Sequence, residues 1–213
     1  MMERIMKRVM LVFAIYLGFL LASAVSMSGE WEKLKPEQKK DLEAGKAVYE
    51  YVKTENADGT TGGYARSLIL INAPIKECWK IFCEFDKHHL YFPRQKGTVV
   101  IESSKTQALI QKIFEFYVLE ISYYIKYTID HEKHRINYDL DKSRPHDLEE
   151  TSGFFRFEKK DDKTTLFIYA VTKVETGLKV PGFIQNYITS RDLPNVAEHV
   201  KRRIESGGTW KKK

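Results

Sequence analysis

A chain of 213 residues, 43% hydrophobic and 30% charged, is long enough for one domain with a real core and too apolar for a disordered segment. Its formal charge of +6 is modest and no base-reading or stacking motif accompanies it, which argues against a nucleic-acid partner. Two cysteines are too few for a disulfide framework, while 12 Tyr, 12 Phe and 3 Trp favour β-structure around a large apolar interior or pocket.

The N-terminus reads as a segment apart. Arg4, Lys7 and Arg8 precede "LVFAIYLGFLLASA", which ends in Ala22-Ser23-Ala24. A basic start, an apolar run and a small-x-small site are the parts of a secretory signal peptide, so residues 1–24 are expected to be cleaved off. The rival reading is an uncleaved anchor through the uncharged residues 9–29, although Ser23, Ser26, Ser28 and Gly29 make its last third a poor membrane segment. On either reading the basic start stays inside and the remainder is exported, with the periplasm as the expected compartment.

Residues 25–45 form a helical lead-in, with Pro36 suited to a first helical position and Gly45 at its end. "KAVYEYVK" (46–53) alternates as a strand, "NADGTTGG" (56–63) is a turn cluster, and "YARSLILIN" (64–72) is a second strand. The clearest helix follows. Asn72 or Ala73 can cap it, Pro74 sits in its first turn, and Ile75, Cys78, Trp79 and Phe82 make one apolar stripe. Cys78 and Cys83 on one helix point apart, which makes them small buried hydrophobes rather than a bonded pair. Asp86 can cap a second short helix, "KHHLYF", closed by Pro93.

From Thr98 to Glu175 the pattern is β. "ISYYIKYTI" (121–129) has the sharpest period of two, with Ile121, Tyr123, Ile125, Tyr127 and Ile129 on one face. Ile136, Tyr138 and Leu140 repeat it, and 153–160 with 165–175 read as a hairpin. The last element is helical, carrying Phe183, Ile184, Tyr187 and Ile188 and then Leu193, Val196, Ala197, Val200 and Ile204. Pro194 should kink or split it, and residues 207–213 read as a frayed basic tail. The order predicts an α+β architecture: a curved antiparallel sheet with a long C-terminal helix across its concave face, leaving an apolar space suited to a small molecule.

Motifs with chemical potential mostly have plainer readings. "HEKHR" (131–135) is one residue short of the zinc-protease spacing and lies between strands, as a hairpin turn would. His88 and His89 are adjacent, so their side chains diverge; with Glu84 and Asp86 they could hold a metal, but a structural role is preferred. "SRPHDLEETSG" (143–153) reads as a solvated loop. In "TSRDLP" (189–194), Asp192 can cap a helix and Arg191 could meet a ligand headgroup at a cavity mouth. No nucleophile elbow, phosphate loop or dinucleotide fingerprint occurs.

The stretch from Asp41 to Ser206 resembles the START-like (SRPBCC) superfamily of polyketide cyclases and lipid-transport proteins, and its exported bacterial branch in particular. The resemblance rests on "LEAGKAVYEY", "INAPIKECWKIFCEFDKHHLYFPR", "DLEETSGFFRF", "VPGF" and "SRDLPNVAEHVKRRIES". It departs from the family pattern at His88-His89, where a proline or other plain residue is expected. The resemblance implies a helix-grip fold over residues 46–206, gripping a cavity for a lipid, quinone or polyketide-like molecule. The residues expected on the cavity lining are Trp79, Phe82, Tyr123, Tyr138, Phe157, Phe167, Phe183 and Tyr187, with the inward face of each strand taken from alternation, and Arg191 is expected at a polar rim. The expected function is a carrier without catalytic residues, cofactor or metal, making at most transient contact with a membrane surface. A cyclase- or hydrolase-type enzyme and a support domain of an envelope complex are the alternatives.

Overall fold

A computed structural model describes residues 29–55, 61–116, 119–175 and 192–213. The expected signal segment, and with it Phe183, Tyr187 and Arg191, lie outside the described residues. The chain divides into two compact units, residues 1–33 and 34–213. In the first, the described structure is the single-turn helix α1 (Glu30–Lys33).

The second unit carries α2 (Pro36–Glu43), β1 (Val48–Glu55), β2 (Thr61–Ile71), α3 (Ile75–Phe82), a 3-10 helix (Phe85–Leu90), β3 (Gln95–Ser103), β4 (Gln107–Phe116), β5 (Leu119–Asp130), β6 (Arg135–Leu140), β7 (Glu150–Lys159), β8 (Thr165–Glu175) and α4 (Leu193–Glu205). All eight described strands form one antiparallel sheet in the order β1-β2-β8-β7-β6-β5-β4-β3. Consecutive strands pair except at one place: β2 joins β8, and the segment of α3 and the 3-10 helix carries the chain from β2 to the far edge at β3.

The fold is α+β, with the curved sheet gripping helices on one face. Alternation fills that concave face: Ile125, Tyr127 and Ile129 of β5, Ile136 and Tyr138 of β6, Phe155 and Phe157 of β7, and Phe167 of β8 are all buried. They pack in one core with Cys78, Trp79, Ile81 and Phe82 of α3 and Val196, Ala197, Val200 and Ile204 of α4. β2 and β8 are buried on both faces where residues 68–71 pair with residues 165–168. Leu68 and Leu70 pair in register with Ile168 and Leu166, and α2, with buried Leu42, lies against β1 and β2. The lead-in helix thus belongs to the same compact unit as the sheet.

Local details differ from expectation for physical reasons. Pro74, not Asn72 or Ala73, occupies the N-cap of α3, and the Asn72 N–H is taken by Glu205 Oε1 of α4 at 2.8 Å. The second short helix is 3-10, begins at Phe85, and leaves Asp86 inside it rather than capping it. Pro194 falls in the first turn of α4, where its missing N–H costs nothing, and the part of the expected helix that it would kink or split off lies outside the described residues. The C-terminal residues are docked, not frayed. Lys212 Nζ donates to the carbonyls of Phe92 and Gln95, each at 2.5 Å, and Arg203 Nη1 donates to Trp210 O at 2.9 Å. The Trp210 ring also meets His199 edge-on at 4.9 Å.

Candidate functional site

The concave face has two ends. At one, α3 and α4 close directly onto the sheet. Phe82 sits at 5.0–5.6 Å from the rings of Phe155, Phe157 and Phe167, and Trp79 lies edge-on to Phe157 at 6.0 Å. At the other end the sheet and the start of α4 separate and leave a cavity of about 180 Å³. Phe92, Phe114, Ile121 and Ile125 form one wall, Leu148, Phe155, Tyr169 and Val171 the other, and Leu193 and Val196 of α4 the roof. Exposed Glu115 and Val174 mark its open side, and buried Lys112, Tyr138 and Phe155 its inner end.

Of the residues expected on the lining, Tyr123 and Tyr138 are on this wall. Trp79, Phe82, Phe157 and Phe167 face the same side of the sheet but lie in the solid end, where α3 fills the space, so they do not border the cavity. Tyr123 stacks on Phe114 at 5.7 Å. Tyr138 reaches across its neighbour strand to donate to Ala170 O at 3.1 Å. Its position depends on Gly153, its partner in register. A Cβ there would fall 2.6 Å from Tyr138 Cζ and collide with the Ala170 carbonyl.

Lys112 is the cavity's unexpected member. It is 4% exposed, and its ammonium lies 5.1, 5.5 and 5.9 Å from the ring centroids of Phe92, Tyr127 and Phe155. No described carboxylate pairs with it. Burial alone lowers its pKa to about 7, because water stabilises the ammonium and the rings replace only part of that hydration. The signal was in the sequence: Ala108, Ile110, Lys112 and Phe114 alternate along β4, so an inward lysine follows two inward apolar residues.

Nearer the open side, Arg94 Nε meets Asp192 Oδ2 at 3.1 Å. Asp192 stands at the N-cap of α4 but makes no capping bond, so its carboxylate serves the ion pair instead of the helix. Burial raises the Asp192 pKa and Arg94 offsets part of that. The pairing holds the start of α4 to Arg94, whose φ of 56° turns the chain into β3.

The histidines resolve into structural roles. His88 is fully buried, its Nε2–H donates to Phe82 O at 2.8 Å, and its ring stacks on Phe92 at 4.8 Å. Burial lowers its pKa to about 3, with Lys112 a smaller contributor, so it is neutral at neutral pH. It faces the core, and His89 is half-buried. "HEKHR" is the β5–β6 turn. His131 accepts the Trp79 indole N–H at Nδ1, 2.9 Å, and donates from Nε2 to Lys105 O at 2.7 Å, latching the turn to α3. Among the described residues no group of three or more His, Cys, Asp or Glu side chains could hold a metal ion. In the 143–153 connection Asp147 accepts the Ser122 N–H at 2.7 Å, which seats buried Leu148 in the cavity wall. Cys78 and Cys83 are both free, and burial raises their thiols to about 11 and about 12.

No family model matches the sequence, and no curated protein matches it. Solved structures do. A START superfamily protein from Mycobacterium smegmatis superposes with a TM-score of 0.57 at 16% identity, covering 67% of this chain and 97% of that one. The Zhui aromatase/cyclase from Streptomyces sp. R1128 gives 0.55 at 14% identity over 76% and 99%. A STAR-related lipid transfer protein fragment from Xanthomonas axonopodis gives 0.56 at 8% identity over 72% and 98%. Identities this low speak to the backbone alone: the chain has the START-like, helix-grip fold. Among the described residues no helix is long and apolar enough to cross a membrane.

Proposed function

We propose that this protein is an exported carrier or binder of a hydrophobic, lipid-like small molecule held between the sheet and α4. The observation that carries the reading is the cavity itself: about 180 Å³ of space walled chiefly by aromatic and aliphatic side chains beside a core that is otherwise closely packed. Each Å² of ligand surface removed from water there contributes about 25 cal/mol. The names of two structural neighbours, a lipid transfer protein and an aromatase/cyclase, support an apolar ligand class. An enzyme would need titratable groups converging on one reacting atom. Asp192 is engaged by Arg94 and His88 by the Phe82 carbonyl, which leaves binding as the better-supported reading. Export rests on the basic start, apolar run and small-x-small site of residues 1–24.

The test is native mass spectrometry, with lipid extraction, of protein purified gently from the cell envelope. A bound apolar molecule is the expected result. Protein that emerges empty and takes up no apolar probe overturns the carrier reading. N-terminal sequencing of the same material is expected to begin near Val25, and a cytoplasmic, full-length product overturns export.

A further inference from the structure

We propose that Lys112 is the anchor for an anionic headgroup, so that the cavity takes an amphipathic carboxylic acid head-first. The inference rests on the carrier reading and names the ligand class for the same cavity.

Three observations carry it. First, Lys112 lies on the cavity wall at its buried end, whereas Glu115 and Val174 at the open side are exposed. A molecule that fills the space therefore meets the ammonium with its innermost atoms. Second, the ammonium has three N–H donors, and the described residues set three ring faces about it but give it no hydrogen-bond partner. Rings compensate charge but accept hydrogen bonds poorly, so the donors are left for the ligand. Third, the half-buried charges on the wall match each other, and Glu115 lies exposed at the open side. Arg94 and Asp192 hold each other, and this pair lies beside the start of α4. A carboxylate supplies what Lys112 lacks, a counter-charge and two acceptor oxygens, while its chain lies along Ile121, Tyr123 and Leu148. An alcohol or ester supplies acceptors without the charge.

Proton linkage gives the inference a second signature. The groups that face Lys112 from the surrounding elements are His88 and the tyrosines Tyr123, Tyr127, Tyr138 and Tyr169. Burial lowers His88 and raises the four phenols, so all five are neutral between pH 6 and 9. The remaining charged groups are the Arg94–Asp192 pair and exposed Glu115. Lys112 itself is lowered to about 7. A carboxylate with an ordinary pKa near about 4.3 is already ionised throughout that range. Binding it above pH 7 must then draw a proton onto Lys112.

The experiment is isothermal titration of the wild-type protein and Lys112→Met with dodecanoic acid and with methyl dodecanoate. Wild type is expected to bind the acid at least about tenfold more tightly than the ester at pH 6.5, the difference a charge-assisted hydrogen bond makes. Lys112→Met is expected to lose that preference, and a wild-type circular dichroism spectrum with cooperative unfolding shows that it is folded. In wild type, acid affinity should fall by up to about tenfold per pH unit above pH 7 while ester affinity stays level, a series that needs no variant. Equal wild-type affinity for acid and ester, or an acid preference that survives in Lys112→Met, overturns the anchor and leaves the carrier reading standing. Binding of neither probe by wild type overturns the carrier reading and the anchor with it.

Discussion

The two ends of the concave face are built from the same residue types and behave as different materials. In the solid end, Phe82 of α3 is inserted among Phe92, Phe155, Phe157 and Phe167, and His88 closes the group through a backbone carbonyl. In the hollow end, equally aromatic strands are left uncovered by α3, and a lysine takes the place of a core residue. The difference teaches that aromatic content does not mark a binding site. What marks it here is that α3 does not reach it, together with a polar group the core has no use for.

Four perturbations test this contrast, in descending order of expected effect. Phe82→Ala should cost roughly 3–5 kcal/mol, read as a lower denaturant midpoint at unchanged slope, because its site is held by four rings and cannot collapse. The folded fraction should keep its affinity for an ester probe.

The second is a pair of pH windows, one for each end. Lys112 has a folded pKa of about 7 against an ordinary 10.5. The unfolded chain therefore binds more protons between those values, and stability rises with pH by up to about 1.4 kcal/mol per unit there. The cost of burying the ammonium is fully present below pH 7 and gone above 10.5. His88, at about 3 against 6.5, gives the same sign in an acid window: stability falls as pH drops from 6.5 towards 3. Subtracting the unfolding curves of Lys112→Met and His88→Gln from wild type should show two separate windows, with Lys112→Met the more stable protein at neutral pH.

Third, Gly153→Ala should cost about 1–3 kcal/mol and weaken binding of any probe, because the added carbon displaces Tyr138 from the inner end of the cavity. Smallest is Tyr138→Phe, expected to cost about 0.5–1.5 kcal/mol for the lost bond to Ala170 O, measured by thermal or denaturant unfolding.

Much of the scaffold was legible in the residues. The α3 stripe, the inward face of β5, the turn at 131–134 and the α+β order follow from periods of 3.6 and 2 that packing then reinforces. The site was legible only by face. Alternation tells which side Trp79, Phe82, Phe157 and Phe167 address. Which end of that side a helix covers depends on where α3 crosses, a fact of tertiary structure. Lys112 was missed for a related reason: lysine among β residues usually marks a solvated face, and only its parity with Ala108 and Ile110 contradicts that. The tail was misread because its lysines look solvated, and the carbonyls that bind Lys212 lie 120 and 117 residues away.

That docked tail is a strap laid across the scaffold of the pocket. The carbonyls of Phe92 and Gln95, on the stretch that supplies one ring around Lys112, find their ammonium donor only in Lys212. Burial lowers the pKa of that lysine to about 8. One side chain thus ties the exit of the 3-10 helix to the start of β3, across the turn from which Phe92 reaches Lys112.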